Sequence, residues 1–318
     1  MDDLAILIPC YNEGITIGKV VRDCINDTKD LHCKVNIYVY DNNSNDNTVE
    51  EALKNGATVR HEYQQGKGNV IRRMFREIDA KCYVLIDGDD TYPTEDIPKM
   101  YEMVINKNVD MVVGDRLSSS YFEENKRPFH NLGNRLVRGS INTLFKSNIR
   151  DIMTGYRAFS YQFAKAYPVL SKGFEIETDM SIFAIENNMA ISNMIINYRD
   201  RPEGSQSKLN TYSDGFRVLR RIFNLYRDYH PMRFFTIISA LLFIIAGIVF
   251  VPEVLIPYLK TGLVEKMPTL VVCIFLGIAG IVSWYSGLVL DSVLQKEKRE
   301  FEFRLQLIRE KFNENHIN

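Results

Sequence analysis

Short apolar, β-branched runs alternate with amphipathic stretches along the first third of the chain. LAILI at 4–8, VNIYVY at 35–40, ATVRH at 57–61, CYVLID at 82–87 and VDMVVG at 109–114 read as strands bounded by polar or glycine-containing turns. Helical periodicity fills the intervals at 16–27, from about 48, at 67–79 and at 95–106. Asn47 and Glu50 have capping-box spacing at the start of the second helix, and Gly56 supplies a stop. This alternation predicts an α/β fold with a mostly parallel sheet and right-handed crossovers. Strand-like runs at 156–159 and 194–198 extend the sheet. The catalytic domain is expected over 1–212.

The pattern changes late in the chain. Phe234–Val251 and Thr269–Leu290 are uncharged apolar runs, the second 22 residues long, near the length that crosses about 30 Å of hydrocarbon. They predict two transmembrane helices within 234–290, joined by a short outer loop at 252–268. That loop has only Lys260 and Lys266, balanced by Glu253 and Glu265. Arg217, Arg220, Arg221, Arg227 and Arg233 precede the pair, and Lys296, Lys298, Arg299 and Arg304 follow it. The positive-inside rule then puts both chain ends in the cytoplasm. The acidic opening MDDLAILIPCYNE is too short an apolar run for a signal peptide, which agrees. Segment 213–233 sets Phe216, Leu219, Phe223 and Tyr226 on one helical face and arginines on the other. It is either an interfacial helix on anionic lipid or a helix packed on the catalytic domain. In the C-terminal helix at 291–318, Leu294, Phe301, Leu305, Ile308 and Phe312 form an a/d-like stripe. It suits a second copy of the chain in a homo-oligomer, the chain's own catalytic domain, or the membrane surface.

Composition narrows the function classes. A formal net charge of -1 argues against a general nucleic-acid binder, which needs a basic excess to neutralise phosphates. Five cysteines without CxxC or Cys/His metal spacing suggest a reducing compartment, not a disulfide framework.

The chemistry-bearing residues cluster after the strands, where open α/β sheets bind ligands. PCYNE follows the first strand, DNNSNDNT the second, DGDDTYP the fourth and GDR the fifth. Asp87 and Asp89 are two carboxylates of the kind Mg²⁺ or Mn²⁺ takes together with substrate phosphates; alternatively they belong to a solvated turn, with Asp90 capping a helix. Asp41 is placed to bond a ribose hydroxyl or to close an Asx-turn. Gly66-Lys67-Gly68 at a helix start brings N–H groups and an ammonium near phosphate. The third glycine of a dinucleotide fingerprint is missing, which excludes that reading. Asp151, ahead of TGYR, is a candidate general base, acceptor-positioning carboxylate or structural cap. Glu175, Glu177 and Asp179 suit donor-sugar hydroxyls or a helix cap.

PCYNE, Asp41 with its polar loop, GKG at 66–68, the DxD of Asp87 and Asp89, VVGDR at 112–116 and DIMTGYRAF at 151–159 together resemble family 2 glycosyltransferases with a GT-A fold. YRDRPEGSQSK at 198–208, followed by a juxtamembrane helix and two apolar spans, is similar to the polyprenyl-phosphate glycosyltransferase branch. The resemblance implies inverting transfer from a nucleotide sugar to a lipid phosphate at the cytoplasmic membrane face, with a divalent metal. A UDP-sugar carrying glucose or N-acetylglucosamine and an undecaprenyl phosphate acceptor are expected. It places Pro9, Tyr11, Asn12, Glu13, Asp41, Lys67 and Asp87 on the donor nucleotide, Asp87 and Asp89 on the metal, and Asp89 and Asp151 in catalysis. Arg116, Arg135 and Arg201, helped by Ser205 and Lys208, fall on the acceptor phosphate, for which arginine forks are suited; each could instead serve a structural ion pair. Two departures stand out: Asn42 and Thr91 occupy positions where the family often has Asp and Gln. A processive polysaccharide synthase would carry QxxRW, whereas Trp284, the single tryptophan, lies in the second apolar run. A non-catalytic nucleotide-sugar-binding subunit is opposed by the presence of both Asp41 and the DxD.

Overall fold

The computed structural model describes residues 1–118, 130–173, 175–202 and 211–317, with the backbone alone at 130–137, 211–216 and 315–317. Seven strands form one sheet in the order β3-β2-β1-β4-β6-β5-β7: β1 Asp2–Cys10, β2 Val35–Asp41, β3 Thr58–His61, β4 Ala80–Leu85, β5 Met111–Asp115, β6 Arg157–Ser160 and β7 Ile191–Ile195. Every neighbouring pair is parallel except those made by β6, which runs antiparallel between β4 and β5. The sheet is mostly parallel, as expected, with β6 its one antiparallel member. Only the pairing of β6 with Leu85 and Val113, both opposite Arg157, reveals its direction.

Alternation along β1 divides the core. Leu4, Ile6 and Ile8 join Ile17, Val20, Val21 and Cys24 of α1 (Ile17–Thr28) and Ile97 and Met100 of α4 (Ile97–Asn106). On the opposite face, Phe75 of α3 (Lys67–Glu77) meets Tyr83 and Phe159 edge-on, with ring centres 5.9 and 5.5 Å apart. The helix α2 (Thr48–Lys54) has Asn47 at its N-cap, but the Asn47 side chain makes no cap hydrogen bond, so the capping box is not formed. Gly56, at φ +93°, ends the helix region as expected.

The chain divides into two compact units, residues 1–222 with 304–318, and residues 223–303. In the first, the C-terminal stripe meets the chain's own catalytic domain: the Phe312 ring lies 5.0 Å from that of Tyr161. The helix Thr211–Tyr229 buries Val218 and Ile222, while Leu219, on the face expected to be apolar and covered, is exposed.

Two long apolar helical segments follow, Pro231–Thr261, which lies in the second unit, and Met267–Glu314, which runs from the second unit into the first; their most apolar stretches are only 6% and 11% buried. Apolar surface of that extent, left uncovered by the chain itself, marks a site of contact with a membrane or with other apolar surface. Small residues let the two segments approach closely. A Cβ on Gly280 would lie 3.0 Å from the Phe243 ring, and Ser283 Oγ donates to the Phe235 carbonyl at 3.3 Å. Both segments are compatible with membrane anchoring.

Candidate active site

The crevice lies beyond the carboxyl ends of β1 and β4, where the strand order turns, the usual ligand position in open α/β sheets. The loop after β1 is stitched to the loop after β2. Backbone N–H groups of Asn12, Glu13 and Gly14 donate to Ser44 Oγ, Thr48 Oγ1 and Asp46 Oδ2, each at 2.9 Å. Asn12 takes φ +53°, a left-handed conformation that asparagine tolerates, and its Oδ1 accepts from the Asn45 N–H. Pro9 ends β1 beside Tyr40, and Tyr11 is exposed at the rim.

Asp41 is buried opposite Cys10. Its Oδ1 accepts the N–H of Ser44, three residues on and so one beyond an Asx-turn, at 3.1 Å, and Oδ2 faces His61 Nδ1 at 3.3 Å. Asn42, the first departure from the family pattern, has a clear task. Its amide donates to the carbonyls of Glu62 (2.7 Å) and Gln64 (2.9 Å), and its oxygen accepts the Gly66 N–H at 2.8 Å. An aspartate could not make the two donations.

The GKG turn is shaped by close approach of another segment. Gly66 stands at φ +130°, and a Cβ there would sit 2.2 Å from the Lys172 carbonyl oxygen, so only glycine fits. Lys67, expected beside phosphate, is instead buried between Asp87 Oδ1 and Glu177 Oε1, each 2.7 Å from Nζ. Burial alone would lower this ammonium's pKa, but the two carboxylates outweigh it and hold it above its ordinary 10.5.

Asp87 and Asp89 lie just past β4. The Asp87 carboxylate leans on Gly155, where a Cβ would come within 2.4 Å of Oδ2; the glycine of TGYR thus clears space for the first acid of the DxD. Asp89 Oδ1 accepts from Thr91 Oγ1 (2.6 Å) and N–H (3.2 Å), and Oδ2 meets Arg201 Nη2 at 2.5 Å. Burial, then the charge of Asp87, pushes the Asp89 carboxyl pKa upward. Thr91, the second departure, therefore orients Asp89. Asp90 does not cap a helix: it takes φ +58° and pairs with Lys19 at 2.7 Å, and the helical turn begins only at Thr94. Among the described residues no group of three His, Cys, Asp or Glu gathers as a metal cage. Two adjacent carboxylates, one beside a cleared glycine, still fit a hard divalent cation that takes its other ligands from phosphate and water.

Of the arginines expected on an acceptor phosphate, Arg116 forms a buried fork with Asp151, Nε to Oδ2 at 2.7 Å and Nη2 to Oδ1 at 3.1 Å. The Arg116 guanidinium also lies over the rings of Tyr92 and Tyr198 at 5.8 and 5.6 Å. Both Asp151 oxygens face this arginine, a charge pairing that is one of the alternatives open in the sequence. The Arg135 side chain, Ser205 and Lys208 lie outside the described residues. Tyr92 and Arg157 were not among the residues singled out for the site, and the hold of Glu177 on Lys67 was not foreseen. Arg157 is fully buried, donates to the carbonyls of Thr154 (3.0 Å) and Ile152 (2.5 Å), and is desolvated enough for its pKa to fall to about 10. An arginine inside an apolar strand run was the available signal. Glu175 and Asp179 begin the helix Ile176–Glu186, where Asp179 pairs with Arg221.

A mixed α/β sheet of this order, with paired carboxylates beyond its fourth strand, defines a GT-A glycosyltransferase domain. The chain belongs to glycosyl transferase family 2, which matches residues 5–167. Glycosyltransferase AglJ of Haloferax volcanii is 31% identical over 235 residues, covering 74% of this chain and 75% of that protein. Protein RfbJ of Shigella flexneri is 48% identical over 114 residues, 36% of this chain and 85% of RfbJ. A dolichyl-phosphate hexose transferase of Haloferax volcanii is 29% identical over 70% of this chain and 92% of its own length. Glucosyl-3-phosphoglycerate synthase from Mycobacterium tuberculosis, solved with Mn²⁺, UDP-glucose and phosphoglyceric acid, shares the fold at TM-score 0.53 and 18% identity, over 72% of this chain and 79% of that one. The protein is an enzyme, a glycosyltransferase with relatives that act on polyprenyl phosphates.

Proposed function

We propose that the enzyme transfers glucose or N-acetylglucosamine from a UDP-sugar to undecaprenyl phosphate, with inversion, at the cytoplasmic face of a membrane. The product would be the lipid-linked sugar used in modifying a cell-wall or surface polysaccharide. The observation that carries this reading is the contact between Arg201 and Asp89, 2.5 Å apart: a phosphate-binding type of side chain reaches the carboxylate best suited to a metal. Donor and acceptor groups then share one cleft.

In this reading Asp87 and Asp89 would hold Mg²⁺ or Mn²⁺, which would supply positive charge to stabilise a nucleoside diphosphate leaving group. The mycobacterial synthase that shares the fold binds Mn²⁺ and UDP-glucose, which supports the cofactor class. Tyr11, Asn12, Glu13 and Asp41 line the nucleotide side, with the exposed Tyr11 ring suited to a flat base. A lipid phosphate is already an anionic nucleophile, so it needs orientation more than a base; Arg201 supplies a planar fork for that. Arg116, buried and fixed by Asp151, would present its remaining N–H donors to the phosphate. The two apolar segments anchor the chain, and both ends lie in the cytoplasm by the arginine and lysine bias of their flanks.

The test is transfer by the purified full chain to undecaprenyl phosphate with Mg²⁺ or Mn²⁺, across a panel of UDP- and GDP-sugars. Product with a UDP-sugar is expected. Transfer only from a GDP-sugar would overturn the donor assignment, and transfer only to a growing glycan would overturn the acceptor.

A further inference from the structure

The arginines of the helix Thr211–Tyr229 are not equivalent. Arg217 and Arg220 are exposed, as residues meeting a lipid surface should be. Arg221 instead turns to the catalytic domain, where its Nε and Nη2 donate to the two oxygens of Asp179 at 2.6 and 2.8 Å. Asp179 is 5% exposed, and it also accepts from the Ser171 hydroxyl. A bidentate pair on a buried carboxylate is the strong form of this interaction.

Ser171 and its neighbour are the segment that closes on the GKG turn. The Lys172 carbonyl accepts the Gly68 N–H at 3.0 Å, and Cβ atoms on Gly66 and Gly68 would fall 2.2 and 2.0 Å from the carbonyl oxygens of Lys172 and Ser171. Two turns of contact lead onward from there: Glu177, on the same helix as Asp179, holds Lys67, and Lys67 holds Asp87.

We infer that Arg221 is a positioning residue for the donor pocket: by clasping Asp179 and, through it, Ser171, it holds the 171–172 segment against the Gly66–Gly68 turn. The inference rests on the donor-site reading above for its effect on activity, though not for the clasp itself. It divides the arginine-rich face into lipid-directed Arg217 and Arg220 and an inward Arg221, so the helix that leads into the apolar segments also sets the shape of the nucleotide side.

Hydrogen–deuterium exchange on the purified full chain in detergent reads the clasp without substrate. In Arg221→Ala the Gly68 amide should exchange about 2- to 30-fold faster, the range over which residues touching neither ligand modulate a site, while the amides of β1 keep their rates. The KM for the nucleotide sugar should rise over a similar range, with the KM for polyprenyl phosphate near wild type. Arg221→Lys should recover part of the protection. Arg221→Asp combined with Asp179→Arg should restore what either single change loses, and these two variants carry the measurement if Arg221→Ala does not fold. Unchanged Gly68 exchange overturns the clasp. Faster exchange with unaltered nucleotide binding keeps the clasp and removes the GKG turn from the donor site, a failure of the functional reading alone. An equal rise in both KM values assigns Arg221 to the acceptor side and overturns its positioning role.

Discussion

Arg201 and Asp89 touch, Nη2 to Oδ2 at 2.5 Å, although they belong to segments far apart in the chain. The arginine and a metal would use the same carboxylate oxygen. Arg201→Ala should therefore lower transfer by about 1.5–3 kcal/mol of lost charged hydrogen bonding, while the apparent affinity for Mn²⁺ in the presence of UDP stays level or tightens. Calorimetric titration of metal and UDP, beside acceptor kinetics, checks both halves. Weaker metal binding in the variant would place Arg201 among the donor groups.

Asp89→Asn keeps the hydrogen bond from Thr91 but replaces the carboxylate with a neutral amide. Loss of one preorganised electrostatic contact of this type typically costs about 2.7–4 kcal/mol, some hundred- to thousandfold in rate. The fold should survive, because Asp89 lies beyond β4 and outside the sheet hydrogen bonds. Circular dichroism and a metal-dependent transfer assay decide, and more than half the wild-type rate would remove Asp89 from the metal site.

Asn42→Asp restores the family's more frequent residue, yet it should harm this chain. Two part-buried donations to the Glu62 and Gln64 carbonyls are lost, at about 0.5–1.5 kcal/mol for each hydrogen bond. Thermal unfolding and the KM for the nucleotide sugar should both worsen. Should the variant match wild type in both, the Asn42 stitch does not shape the GKG turn.

Lys67 gives a pH prediction with a definite sign. Its pKa in the fold is raised above 10.5 by Asp87 and Glu177, which outweigh burial. Its stabilising contribution is therefore fully present below 10.5 and is lost only as pH rises through the higher folded value. Lys67→Met removes the central partner of a buried network, a change that costs about 3–5 kcal/mol. The Tm gap between this variant and wild type should be flat through the neutral range. A gap that narrows between pH 7 and 9 would show that Lys67 loses its proton there.

How much of this was legible follows from what each feature depends on. β1, β4 and β5 are buried on both faces and read as unbroken apolar runs, so the sequence places them well. β7 carries Ser192 and Asn193, and the expected run at 194–198 lies later than the observed Ile191–Ile195 because an edge strand has no such continuous signal. The direction of β6 is a property of its partners. The motif residues were found where strands end, yet their pairings were not: Arg201 with Asp89, Lys67 with Glu177 and Arg221 with Asp179 join distant segments, and nothing local specifies them. In the juxtamembrane helix Leu219 is exposed, and Arg221 is drawn in by one buried carboxylate that nothing in the helix's own sequence announces.

The antiparallel course of β6 has an architectural consequence. β5 leaves the sheet at the cleft rim and β6 enters it there, with Val113 opposite Arg157, so everything between them begins and ends at the same doorway. That stretch carries Arg116, Asp151 and Gly155, so a chimera that traded it between relatives would move these three together while Arg201, beyond β7, stayed with the recipient chain.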